Sequence, residues 1–194
     1  AYIPDRFEEG YGLNAEALTS LKESGADLVV TVDCGIRAIA EAEHARDIGL
    51  DLIITDHHTP GPETPPALAV INPKLAGDSY PEKELAGVGT AYKLASALIG
   101  SYQPTNLPQE ALLDLVAIGT VADMVPLVGE NRALVKRGLQ ILRRPHRQGV
   151  LSLMGVAGVQ APRVGSGHIG FLVGLRSNAA GRLGSAIGPY TLTL

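Results

Sequence analysis

The chain reads as an α/β fold in which a parallel sheet flanked by helices is followed by a mainly helical part. Three observations predict this. Short apolar, β-branched runs at Asp27–Val32 and Asp51–Thr55 are separated by one helical segment, the strand–helix–strand order of a parallel unit. Each run ends on chemically active residues, Asp33 in one case and Asp56-His57-His58 in the other. Beyond about residue 87 the apolar residues recur at helical spacing.

Taken in order, Asn14 is placed to cap a helix with apolar positions Ala17, Leu18 and Leu21, which Gly25 ends. Asp27–Val32 is a strand by β-branched content and delivers Asp33-Cys34-Gly35 at its end. A second helix is expected from about Ile36 to Ile48, closed by Gly49. The next strand, centred on Leu52–Ile54, is too short and apolar for a helix and suits a mid-sheet position buried on both faces. A right-handed crossover makes the two strands neighbours, so Asp33 and His57 are expected to open onto one rim, where such sheets gather their ligands.

Thr59–Pro66, with four prolines and a glycine, is a shaped loop beside that rim. A short strand is expected at Ala69–Ile71. Helices follow at Gly87–Ile99, about Pro108–Ile118, Asn131–Leu142 and from Ser166 to about Arg182, with Gly119–Asp123 placing a carboxylate at a helix terminus or turn. Two parts are expected: residues 1–130 as the α/β core, and residues 131–194 as a basic, mainly helical continuation. The apolar ending at Leu194 carries no terminating signal, so the chain reads as part of something longer.

The 194 residues, 45% of them hydrophobic, suffice for a real core. No apolar run approaches the roughly 20 residues that span a bilayer, and the first residues lack signal-peptide features, so no membrane partner is expected. A single cysteine excludes an intrachain disulfide and makes the cytoplasm the default compartment. The net charge of −4 is unevenly divided. Residues 1–130 hold all 20 Asp and Glu against 7 Lys and Arg, net −13, whereas residues 131–194 hold 9 Lys and Arg and no acid, net +9. Such asymmetry points to a polyanionic partner, or else to neutralisation of an acidic neighbour within the protein.

Asp33, Asp56, His57, His58 and Asp123 form a mixed carboxylate and imidazole set. Singly, each has a bland reading: an Asp after a strand is a turn or cap residue, and a His is structural. Adjacent histidines at a strand end, preceded by one carboxylate and facing another, shift the balance to metal binding. This donor set suits Mn²⁺ first, and Mg²⁺ or Zn²⁺ less specifically. Cys34 reads as a small buried residue, and His44 as part of a solvated helix face. No glycine-rich nucleotide loop and no Gly-x-Ser-x-Gly elbow is present, which argues against nucleotide-cofactor and acyl-transfer chemistry.

The residues resemble a known family, the DHH phosphoesterases, named for the triplet seen here as Asp56-His57-His58. Within it they are most similar to the RecJ-type single-strand exonucleases. The resemblance is carried by Tyr2-Ile-Pro-Asp-Arg6, Glu9-Gly-Tyr-Gly12, Val30-Thr-Val-Asp-Cys-Gly35, Ile54-Thr-Asp-His-His-Thr-Pro-Gly61, Ala86-Gly-Val-Gly89, Ala117-Ile-Gly-Thr-Val-Ala-Asp123 and Asn178-Ala-Ala-Gly-Arg182. These stand in family order across nearly the whole chain. The resemblance implies a two-metal centre, Mn²⁺ or Mg²⁺, in which Asp33 bridges the ions while His57 and Asp123 ligate one of them. It further implies that His58 contacts the scissile phosphate and that Asp56 orients its histidine neighbour. Arg6, Asn178 and Arg182 match positions near the nucleic-acid phosphates, where a guanidinium can grip two oxygens.

The implied function is that of the catalytic part of a 5′–3′ exonuclease acting on single-stranded DNA in repair and recombination, with a helicase and a single-strand-binding protein as partners. The alternatives are a DHH enzyme for oligoribonucleotides or cyclic dinucleotides, and a non-catalytic nucleic-acid-binding module. Two departures stand out. The family's first motif, an Asp-x-Asp that completes the metal sites, is expected before Ala1. Gly174-Leu-Arg-Ser177 also differs from the proline and aliphatic residue usual before the last motif.

Overall fold

A computed structural model describes residues 1–4, 9–102, 108–176, 188, 190 and 191. The chain divides into two compact units, Tyr2–Ala91 and Tyr92–Leu194, the second also taking in Ala1.

In the first unit the elements run α1 (Ala15–Glu23), β1 (Leu28–Val32), α2 (Ile39–Asp47), β2 (Asp51–Thr55), β3 (Ala69–Ile71) and the start of α3 (Gly87–Tyr102). The strands form a parallel sheet in the order β1-β2-β3, so the strand leading into Asp56 is central, as expected. Asn14 caps α1, its Oδ1 accepting from Ala17 N at 2.7 Å. The core joins Leu18 of α1 and Ala42 and Ala45 of α2 to Leu50, Leu52 and Ile54. Ile53, on the other face of β2, is half-buried. His44 is not a solvated residue: it is half-buried, its Nε2 lies 2.8 Å from Thr19 Oγ1, and it ties α2 to α1.

α2 starts at Ile39, three residues later than its sequence predicts. The reason is local. Gly35 adopts a left-handed φ of +106°, and the Ile36 N–H is committed to the Asp56 carboxylate rather than to a helical turn.

The second unit is helical. After the continuation of α3 come a 3-10 turn (Gln109–Leu112), α4 (Leu113–Ala122), α5 (Gly129–Leu142), α6 (Gln148–Val156), a 3-10 turn (Ala161–Arg163) and a short α7 (Ser166–His168) that widens into a π-turn (Ile169–Val173). Gly119–Ala122 therefore belong to α4 rather than following it, because Thr120 and the neighbouring Val116 and Ala117 are buried in the helix contact. α6 was not expected as a separate helix; Val150 and Met154, one turn apart, bury it. Its glycines, Gly149 and Gly155, mask it in the sequence. The core holds Ala117, Leu142, Val150, Met154, Val164, Ile169 and Val173.

α4 and α5 meet at Gly138, where an added Cβ would lie 2.1 Å from Leu113 O and 2.5 Å from Ala117 Cβ. Backbone cannot yield as a flexible side chain does, so Gly138→Ala is expected to destabilise by about 1–3 kcal/mol. Thermal unfolding should register this as a melting temperature lower by several degrees; an unchanged midpoint would show that the helices can part at no cost.

Candidate metal centre

Parallel pairing sets Val32 opposite Thr55, so the first residues past each strand, Asp33 and Asp56, leave the sheet side by side. The ladder runs on beyond the strands: Asp33 N donates to Thr55 O at 2.9 Å and Asp56 N to Ile71 O at 3.0 Å. Thr55 Oγ1 donates to Thr31 O at 2.6 Å and Thr31 Oγ1 to Cys34 O at 2.8 Å, which pins the turn after β1. Within that turn Asp33 takes a φ of +65°. Left-handed backbone is costly for residues with a Cβ and gathers at functional sites.

Asp56 is 1% exposed, and its carboxylate is fully engaged. Oδ1 accepts from His57 N at 2.7 Å and His58 N at 3.2 Å, and lies 2.6 Å from His58 Nδ1; Oδ2 accepts from Ile36 N at 3.0 Å. Burial pushes this carboxyl up, but the donors of Ile36, His58 and His57 outweigh it and hold it below the usual carboxylate range. The stabilisation is present above the ordinary Asp range near 3.8 and is lost as pH falls through the lower folded value. Asp56 is thus an anchor: it fixes the His58 ring by Nδ1 and leaves Nε2 on the half-exposed outer side.

His57 is buried and points the other way, its Nε2 3.0 Å from Asp33 Oδ1. The distance is short, yet Asp33 Oδ1, shielded from solvent, has no aligned hydrogen bond among the described residues. A carboxylate oxygen and an imidazole nitrogen that converge in this way are of the donor types that a divalent cation takes. Asp33, His57 and His58 each offer a ligand atom, all within 4.8 Å of one another.

Two further residues shape this rim, both within motifs that carry the family resemblance but with no role read for them there. Tyr11 donates from its hydroxyl to Asp33 O at 2.8 Å, and its ring stands edge-on to that of His58 at 6.4 Å. Gly87, opening α3, lies so close to Asp33 that an added Cβ would be 2.3 Å from Asp33 Oδ1. The glycine pair in Ala86-Gly-Val-Gly89 was the available signal for such a close approach.

Asp123 is the C-cap of α4 in the second unit, half-buried, its N–H bonded to Gly119 O at 2.9 Å. A carboxylate at a helix C-terminus opposes the macrodipole, a placement that a cation would offset. Arg6, Asn178 and Arg182 lie outside the described residues.

Cys34 is half-buried, and burial, followed by the charges of Asp56 and Asp33, pushes its thiol up to about 11. It is no nucleophile at neutral pH. Against an ordinary value of 9.0, its thiolate fraction at pH 8 falls about a hundredfold, so metal-free native protein should react with a thiol reagent about that much more slowly than unfolded chain. Equal rates would show that the turn leaves the thiol open.

Comparison with known proteins decides the family. Residues 1–120 match the N-terminal domain of the DHH family. The chain belongs to the DHH family. Curated DHH relatives include the single-stranded-DNA-specific exonuclease RecJ of Bacillus subtilis, 52% identical over 95% of this chain and 23% of its own length. RecJ of Escherichia coli is 46% identical over 93% of this chain and 33% of its own. A crystal structure of exonuclease RecJ bound to manganese matches with a TM-score of 0.82 at 36% identity, over 99% of this chain and 51% of that one. This DHH chain therefore spans about a quarter to a third of the curated relatives it matches, and the α/β expectation is borne out by the fold they share.

Proposed function

We propose that this chain forms the greater part of the catalytic domain of a RecJ-like, metal-dependent exonuclease. The full-length enzyme would hydrolyse phosphodiester bonds of single-stranded DNA from the 5′ end, in DNA repair and recombination in the cytoplasm. The observation that carries the reading is the convergence of Asp33 Oδ1 and His57 Nε2, 3.0 Å apart at the end of a parallel sheet. The RecJ structures similar to this chain, two of them in complex with Mn²⁺ and one with Mg²⁺, support Mn²⁺ or Mg²⁺ as the ion. Asp33, His57 and Asp123 would hold metal. Two such ions, when bound, stabilise the attacking and leaving oxygens of a displacement at phosphorus.

The chain's own residues supply the rest. Asp33 presents a carboxylate from a rigid left-handed turn, and His57 is kept dry and oriented by burial. His58, held by Asp56 through Nδ1, would turn Nε2 towards the scissile phosphate. Arg6, Asn178 and Arg182 would grip the strand, and residues 1–130 and 131–194 would be the DHH core and its basic helical continuation. Helicase and single-strand-binding partners belong to the same reading.

The test is release of mononucleotides from 5′-labelled single-stranded DNA by the full-length protein with Mn²⁺, abolished by chelation. Preference for dinucleotides over long DNA would place the protein with other DHH phosphoesterases instead.

A further inference from the structure

α5 carries a stripe of cations. At about 3.6 residues per turn, Arg132, Lys136 and Arg143 fall within an arc of roughly 40° on one side of the helix. Its core face, Asn131, Leu134, Val135, Gly138 and Leu142, lies elsewhere on the circumference. All three cations are exposed, and among the described residues none makes a side-chain hydrogen bond or ion pair. They line a groove of about 380 Å³ together with Val135, Leu139 and Ser166; among the described residues no carboxylate lines it.

Helix stability accounts for Arg143, the C-cap at the negative end of α5, but not for the other two cations. Arg132 stands near the positive N-terminal end of α5, where the macrodipole disfavours a cation. Arg132 and Lys136 are a like-charge pair one turn apart, which is also unfavourable. Use elsewhere in the unit looks different: Arg147 Nε lies 3.2 Å from the buried Asp114 carboxylate, and Lys93 pairs with Glu130. Residues 131–194 contain no acid at all to answer the stripe.

We propose that this α5 groove binds the sugar–phosphate backbone of a nucleic-acid strand, as a contact distinct from the residues that would hold metal. The inference rests on the phosphodiesterase reading above. A linear row of cations fits an extended polyanion, and aliphatic walls without an aromatic ring provide no stacking platform, so the grip is on phosphates and independent of sequence.

The experiment uses the full-length protein and oligothymidine, with binding measured in chelator across a salt series. The variant Arg132→Ala/Lys136→Ala/Arg143→Ala should shallow the log–log salt dependence by about 2, at about 0.7 for each of three single-strand phosphate contacts. Its turnover on an oligonucleotide of a few residues with Mn²⁺ should equal wild type. Arg132→Gln/Lys136→Gln/Arg143→Gln, which keeps side-chain length and helix propensity, should give the same slope change and so exclude loss of fold. His57→Ala should keep the wild-type slope while losing hydrolysis. A wild-type slope in both triple variants overturns the proposal, as does an equal loss of turnover on short and long substrates. An unchanged slope accompanied by lost affinity for polyglutamate would make the surface a protein-docking site and also overturn it. If the wild type hydrolyses no nucleic acid, it is the phosphodiesterase reading that fails.

Discussion

His57→Ala is expected to lower Mn²⁺-dependent hydrolysis of single-stranded DNA by about a thousandfold or more, with little change in fold. The loss follows from removing a buried imidazole that lies 3.0 Å from Asp33 Oδ1 and faces the space the two would share with a cation. Metal-ion stabilisation of charge at the reacting phosphate is worth several kcal/mol, and each 1.36 kcal/mol is tenfold in rate. The stability cost is small by comparison, because His57 N and Asp56 keep their hydrogen bond whatever side chain follows. Rate and Mn²⁺ affinity should be measured together, with thermal unfolding as the control. Wild-type turnover in His57→Ala would remove the metal-ligand role from this residue and with it the central support for the proposed function.

Gly87→Ala should be nearly as damaging, by a different route. A methyl group there would sit 2.3 Å from Asp33 Oδ1 and 2.7 Å from its carboxyl carbon, too close for either to remain in place. Rotating the Asp33 carboxylate would not by itself clear the methyl, because Asp33 Cβ would also lie 2.9 Å from it, and the Asp33 backbone is held by the Thr55 carbonyl and the Tyr11 hydroxyl. The start of α3 or the turn that carries Asp33 must move. A misplacement of about 1 Å at a reacting centre can cost on the order of a hundredfold in rate, and overpacking adds about 1–3 kcal/mol of instability. The contrast with Gly138→Ala is diagnostic, since that substitution strains a helix contact in the other unit. Equal metal affinity in the two variants would show that Gly87 is only a packing residue.

Much of this was legible in the chain itself. β2 and its terminal triplet stood out because a buried parallel strand must be continuously apolar, and an acid followed by two histidines breaks that rule at the position where α/β sheets place ligands. Helix α1 was legible for a similar reason, its Asn cap and its glycine stop both being local chemistry. Reading failed where the deciding partner is distant. The delayed start of α2 depends on a carboxylate 20 residues further on, His44 is held by a threonine 25 residues earlier, and α6 is stabilised by packing that overrides its glycines.

The sequence by itself determined the order of the strands and of the helices other than α6, the parallel pairing of β1 with β2, and the arrival of Asp33 and His57 at one rim, because periodicity, capping and motif order are local properties. Only the tertiary structure decided the division of labour inside the triplet. Asp56 faces inward and is saturated by four donors, His57 turns to Asp33, and His58 is held outward. Those orientations arise from burial and from hydrogen bonds across the sheet edge. The same holds for the left-handed turn at Asp33 and the close approach that the bare Gly87 backbone makes to it. Such features depend on backbone segments meeting in space, and no residue spacing encodes them.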